Sequence, residues 1–333
     1  MNILVLIDKF KNSLSSIQLS KIIKSTIKNH NVDYFPISDG GDGFLDSINY
    51  NKKFQKRYVY VNNPLGKKIK VMYLMDNENV YIEVAKIIGY KTVKKLDILN
   101  ASTFGVGQVI LDAINNGGKN FYIGLGGSVT NDGGIGTLKA LGYNFNEKVT
   151  ISPIEYSKYN FNIISDVNNP LLGDNGATFV FSKQKGATKK DIIILENRLK
   201  DYSKMITSFL NKDYSNMKGS GAAGGLGFAF LSILNAKYIS GIDYILNYLK
   251  IDDIIDKYDI IITGEGKVDK QSLNGKIVFE ILNRYNKKTL IICGVSEVNQ
   301  NNIYSIVPNI TNIKNSLNHP KYYFKKLVKS IKF

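Results

Sequence analysis

The stretch Gly124–Gly136, reading GLGGSVTNDGGIG, constrains this chain more than any other. Six glycines surround Ser128, Thr130, Asn131 and Asp132, directly after the apolar run Phe121–Tyr122–Ile123. Glycine loses more backbone freedom on folding than any other residue, so this density needs a physical reason. What glycine supplies is close backbone approach and dihedrals closed to other residues, so that N–H groups can converge on an anion. A strand, then a glycine-rich loop, then a helix start is how α/β proteins present a phosphate site. A plain turn needs only one or two glycines. Six point to a ligand.

Composition narrows the class. At 333 residues the chain has room for one large or two medium domains, and with 44% hydrophobic residues and six prolines it reads as globular throughout. No apolar run reaches the roughly 18 residues of a membrane span, so no membrane partner is expected. The opening MNILVLIDKF meets Asp8 and Lys9 after a short apolar run and reads as a first β-strand, not a signal peptide. The single cysteine, Cys293, rules out an internal disulfide and fits a reducing cytoplasm. With only His30 and His319, zinc and Ser–His–Asp chemistries lack residues to build on. The net charge of +16 suggests nucleic acid, yet lysine carries nearly all of it. Arginine, whose bidentate fork serves specific readers of bases and phosphates, appears only as Arg57, Arg198 and Arg284. The lysines are also spread from Lys9 to Lys332, so no nucleic-acid partner is expected.

Strand–loop–helix units repeat along the chain. Asn2–Ile7 reads as a strand buried on both faces. Ser15 with Gln18 forms a capping box for a helix over 16–29, and Val32–Pro36 is a second strand. Residues 54–85 alternate apolar and polar around turns at Asn62–Gly66 and Asp76–Asn79, which predicts antiparallel strands. A helix over 103–116 stops at Gly117–Gly118. Further strands are predicted at Asn162–Asp166, Thr178–Phe181, Asp259–Thr263 and Thr289–Cys293. Thr188 caps a long helix to Asn211, and the terminal KYYFKKLVKSIKF forms an amphipathic helix. The fold class is α/β, with a mostly parallel sheet and an antiparallel portion.

The loops after these strands share a chemistry. Ser38–Gly43 carries Asp39 and Asp42, Ser165–Gly173 carries Asp166, and Ile262–Lys276 carries Glu265, Lys267 and Asp269. A fourth, Gly219–Gly227, holds five glycines. Acids for magnesium or a base, lysines for phosphate charge and glycines for close approach are the parts phosphoryl transfer uses. None of the Gly-Lys pairs completes a Walker A loop, and the protein-kinase H-R-D and D-F-G signatures are absent. One G-x-G-x-x-G, at Gly219, Gly221 and Gly224, follows a polar stretch instead of a strand. It keeps a dinucleotide-dependent oxidoreductase as the alternative function.

Together these motifs resemble the bacterial glycerate kinases of the non-Walker type. The likeness runs collinearly through DKFKNS (Asp8–Ser13), DGGDG (Asp39–Gly43), TFGVGQ (Thr103–Gln108), the Gly124–Gly136 loop, DVNNPLLG (Asp166–Gly173), KQKGA (Lys183–Ala187), GSGAAGGLG, GID (Gly241–Asp243) and TGEGKVD with QSLNGK, covering about residues 1–295. The chain departs from the family pattern at Lys9, usually serine, at Phe44, usually threonine, and at Lys267, usually arginine. It looks shortened around Tyr143–Tyr159 and after Gly294. The resemblance implies two α/β domains with the active site in a cleft between them: a discontinuous, Rossmann-like domain of residues 1–63 and 286–333, and an inserted domain of 64–285. It implies ATP-dependent phosphorylation of D-glycerate with magnesium, giving 2-phosphoglycerate, with a homodimer left open. Within that reading Asp166, Lys11 and Asp269 are expected to be catalytic, Asp166 lying nearest the acceptor hydroxyl. Ser13, Asp39, Asn131 and Asp132 are expected to bind substrate. Gly126, Gly127, Ser128, Gly224, Gly225, Gly264, Gly266 and Lys267 are expected to bind nucleotide or phosphate, and Glu265 with Asp269 to hold the metal.

Overall fold

The computed structural model describes residues 1–52, 54–145, 149–150, 152–269 and 277–332; the QSLNGK segment lies outside them. The chain divides into two compact units, one of residues 1–39, 46–53 and 242–333, the other of 40–45 and 54–241. The divisions thus fall earlier than Asn63 and Tyr285. Residues 242–285 belong with the N-terminal segment, because the strand Ile260–Gly264 pairs in parallel with Asn2–Ile7 along its length, from Ile3↔Ile260 to Ile7↔Gly264. A buried parallel strand reads as the same aliphatic run in either unit, so sequence pattern could not place it.

In the first unit the parallel strands lie in the order Ile303–Val307, Lys288–Ser296, Ile260–Gly264, Asn2–Ile7, Asn31–Tyr34. Past a break at Glu265–Gly266, the short strand Lys267–Val268 resumes alongside Lys288–Ser296. Numbered along the chain this is the doubly wound order 2-1-3-4-5. The helix Ser16–Thr26 starts at the capping box read from the sequence, with Ser15 and Gln18 each bonding the other's backbone. Its Leu19 and Ile23 pack with Ile3, Val5 and Ile7 and with Phe324, Leu327 and Val328 of the terminal helix Pro320–Ser330.

In the second unit the sheet order is Lys237–Ile239, Asn160–Ile164, Asn120–Gly124, Asn79–Glu83, Lys68–Asp76, Gln55–Asn62. The first four pair in parallel, and Lys68–Asp76 pairs antiparallel to both Asn79–Glu83 and Gln55–Asn62, as the alternation over 54–85 predicts. Thr178–Phe181, expected as a strand, is instead part of the helix Ala177–Phe181, with Ala177 and Thr178 buried. A four-residue apolar run carries too little period to separate a short strand from a buried helical turn.

Glycine is spent here on backbone meeting backbone. A Cβ at Gly40 would collide with the Ile164 carbonyl, and one at Gly124 with the Gly40 carbonyl; at Gly126 it would stand 2.5 Å from the Gly41 Cα. A second seam joins the other pair of glycine-rich loops. Gly224 lies against the Thr130 carbonyl, a Cβ at Gly225 would stand 2.8 Å from the Gly133 Cα, and Gly133 N–H donates to the Gly224 carbonyl at 3.1 Å. Gly126→Ala should therefore lower stability by about 1–3 kcal/mol, the range for overpacking a close contact. Urea unfolding checks this, and an unchanged midpoint would remove the contact from the account.

Candidate active site

The first unit's chain order reverses between the strands Asn2–Ile7 and Ile260–Gly264. Connections run to opposite sides there, and ligands of doubly wound sheets bind in the crevice this opens at the carboxyl ends. Both strands end in carboxylates, Asp8 and Glu265, and the Asp8 N–H donates to the Gly264 carbonyl at 2.9 Å. Asp8, Lys9, Lys11, Ser13, Asp39, Glu265, Gly266 and Lys267 line one cavity of about 410 Å³. Six of the predicted site residues are thereby brought together with Asp8 and Lys9, which the sequence reading left out of the site.

Asp8 is buried, and its Oδ1 accepts no hydrogen bond among the described residues. Lys9 Nζ stands 3.5 Å from Asp8 Oδ2 and 3.1 Å from Asp39 Oδ1. Burial pushes the Asp8 carboxyl up to about 7; Lys9 opposes this, while the charges of Asp39 and Glu265 add to it. Ser38 Oγ and Thr263 Oγ1 are also buried without hydrogen-bond partners among the described residues. Lys267 leans toward acids, with Glu297 Oε1 at 2.8 Å and Asp269 Oδ2 at 3.6 Å. Gly264 and Gly266 are packing positions first: a Cβ on Gly264 would collide with the Ile292 carbonyl, and one on Gly266 would stand 3.3 Å from the Lys11 nitrogen. Among the described residues no cluster of three His, Cys, Asp or Glu is placed to hold a metal.

In the second unit the predicted residues gather at the carboxyl ends of the parallel strands. Asp166 follows Asn160–Ile164, and its Oδ1 accepts from Ser240 Oγ at 2.9 Å and Gly241 N at 2.8 Å. Asn131 is buried and donates through Nδ2 to Thr178 Oγ1 at 3.1 Å; its Oδ1 and the Thr130 hydroxyl have no hydrogen-bond partner among the described residues. Asp132 is held firmly in place. Its carboxylate accepts from Thr103 N (2.8 Å), Thr103 Oγ1 (2.9 Å), Gly134 N (3.1 Å) and Gly136 N (3.2 Å), so it shapes the loop while lining a cavity with Asn131. Gly126, Gly224 and Gly225 are likewise occupied by the seams described above.

Two residues here escaped sequence reasoning. Lys185 is 4% exposed and donates to the Thr130 carbonyl at 2.8 Å and to Ser128 Oγ at 3.2 Å, which places an ammonium beneath the glycine-rich loop. Its one signal was membership of the KQKGA segment. Glu83, buried at the end of Asn79–Glu83, accepts from Leu45 N at 3.1 Å, and burial raises its pKa against the pull of Lys86.

The oxidoreductase alternative loses its footing in this geometry. Residues 211–220 form turns, so no strand leads into Gly219, and Gly221 and Gly224 are closed off by the Pro170 and Thr130 carbonyls. A dinucleotide fingerprint needs both the strand and the open approach.

Comparison with known proteins agrees with the motif order. Residues 3–332 match the model of the glycerate kinase family. The chain belongs to the glycerate kinase family. It is 33% identical to the glycerate 2-kinase of Escherichia coli K12 over 94% of this chain and 91% of that one. It is 30% identical to a glycerate kinase of Bacillus subtilis 168 over 99% and 97%. A crystal structure described as glycerate kinase 2 from Salmonella typhimurium LT2 superposes with a TM-score of 0.78 at 29% identity, covering 99% of this chain and 96% of that one. Among the described residues no helix is long and apolar enough to cross a membrane.

The raised pKa of Asp8 makes stability depend on pH. The folded state holds this proton more tightly than the unfolded chain, whose carboxyl titrates near 4. Between about pH 4 and 7 the native state therefore binds more protons, and stability falls as pH rises through that window. Asp8→Asn removes the effect. In magnesium-free buffer it should match the wild type near pH 4 and exceed it at pH 8 by up to about 4 kcal/mol, the full value of moving the carboxyl from near 4 to about 7. Urea midpoints at the two pH values test this, and a variant less stable at pH 8 would contradict it.

Proposed function

We propose that this protein transfers the γ-phosphoryl group of ATP to a hydroxyl of D-glycerate with magnesium, giving 2-phosphoglycerate. The observation that carries the reading is the switch-point cluster of Asp8, Lys9, Lys11, Asp39 and Glu265, in a chain that belongs to the glycerate kinase family. The name of the Escherichia coli relative favours the 2-position. Phosphoryl transfer asks little covalent chemistry of a protein; positioning and charge stabilisation carry it.

Magnesium takes oxygen ligands and is usually held by one or two carboxylates plus substrate phosphates. Asp8 fits that demand through a buried Oδ1 without a hydrogen bond among the described residues, and Glu265 shares its cavity. Glu265 is thus kept as a metal residue. Asp269, 3.6 Å from Lys267, is reassigned to holding that lysine. Bound there, the ion would supply charge neutralisation for the phosphates. Lys11 offers a cation to substrate or phosphate, and Ser13 and Asp39 offer polar contacts in the same cavity. Asp166 orients the acceptor hydroxyl, its carboxylate fixed through Oδ1 by Ser240 and Gly241. Asn131, Gly127 and Ser128 contact ligand from the glycine-rich loop, with Lys185 supplying positive charge below it.

A coupled assay of ADP release over a panel of hydroxy acids tests the reaction; absence of glycerate-dependent turnover would refute it. Asp166→Ala should lower kcat by about 10²-fold, as loss of a positioned proton acceptor does, with little change in thermal midpoint. Ordinary turnover by that stable variant would take Asp166 out of the mechanism.

A further inference from the structure

The switch-point cavity is two-faced. One side is the set of carboxylates and lysines already described; the other is apolar, formed by Val307, Ile313 and Leu317 with Phe10 and Val295. Ile313 and Leu317, on the helix Ile313–Asn318, are 56% and 54% exposed. Large aliphatic side chains left open on the wall of a cavity mark a surface awaiting an apolar ligand face. Glycerate has none: it is a three-carbon acid with an oxygen on every carbon. A cavity of about 410 Å³ also lies in the ordinary range of roughly 300–1,000 Å³ for small-molecule sites, well above what glycerate fills.

We propose that this cavity of the first unit is the nucleotide site: the purine ring lies against Val307, Ile313 and Leu317, and the phosphates run toward Lys11 and the Asp8–Glu265 end. The assignment rests on the phosphotransfer reading and says which ligand the switch point takes. It also moves nucleotide binding away from the glycine-rich loop Gly219–Gly227, where Gly224 and Gly225 are filled by Thr130 and Gly133. The charges fit. Asp8, Asp39 and Glu265 would repel a bare triphosphate, so the polyanion enters this end with a divalent cation between the two sets of oxygens. Base recognition by aliphatic stacking gives affinity without a hydrogen-bond code, so selectivity among purines is expected to be modest.

The test measures nucleotide binding without glycerate. A fluorescent N-methylanthraniloyl-ATP is titrated with magnesium into the wild type, Ile313→Asp and Leu317→Asp, and competed with ATP and with tripolyphosphate, which lacks the nucleoside. Both positions are exposed, so the variants should fold, and circular dichroism confirms it. The wild type should prefer ATP over tripolyphosphate by at least tenfold. Each variant should weaken ATP about tenfold, leave tripolyphosphate unchanged, and leave the KM for glycerate within twofold. Equal competition by tripolyphosphate, unchanged ATP affinity in both variants, or a rise confined to the glycerate KM would overturn the assignment. Because binding is read without acceptor, loss of the glycerate reading would appear as intact nucleotide binding with no turnover.

Discussion

Two peptide groups can meet at van der Waals distance only where no Cβ stands between them, and that constraint organises the second unit. Gly40, Gly41, Gly124 and Gly126 let residues 40–45 lie directly on the strand ends that precede the glycine-rich loop. Gly133, Gly224 and Gly225 do the same for the two longest glycine-rich stretches. Glycines that look like a phosphate cradle are thus first the means of stacking loops on one another. Ligand binding benefits indirectly. A loop clamped on both sides, with Asp132 absorbing four donors and Lys185 pinning Ser128 and Thr130, presents its remaining groups in one geometry.

The first unit concentrates electrostatic tension at one place. Asp8 sits where desolvation disfavours its charge, and Asp39 and Glu265 worsen this. Lys9 relieves part of it. Held between Asp8 and Asp39, its ammonium neutralises part of their charge. Retaining a carboxylate there costs stability, a trade proteins make where chemistry demands it. A divalent ion arriving with nucleotide would have to compete with Lys9 for the same oxygens.

Much of the fold was legible because local rules governed it. Ser15 and Thr188 cap the helices they were expected to cap, Asn2–Ile7 is a buried parallel strand, and the alternation over 54–85 is antiparallel. Where the decision was tertiary, sequence fell short. Nothing local says that Ile260–Gly264 pairs with residue 3 and not with the strands nearer in sequence, nor that Thr178 turns helical beneath Asn131. The candidate residues divide the same way. Their clustering at strand ends followed from α/β topology, but which acids are committed to backbone amides, as Asp132 is, and which keep a lone pair in hand, as Asp8 does, depends on partners distant in sequence.

The same logic explains why one half of a binding site leaves a motif and the other does not. Burying a carboxylate at a strand end, or passing one backbone over another, admits few residue types, so DKFKNS and DGGDG stand out in the sequence. An apolar wall admits any aliphatic residue of suitable size. Val307, Ile313 and Leu317 belong to no motif and read in sequence as ordinary core or surface positions. Only their convergence on the cavity that holds Asp8 and Glu265 distinguishes them. The part of a ligand recognised by shape is therefore the part that sequence conceals, while the part recognised by charge and by backbone approach is the part it displays.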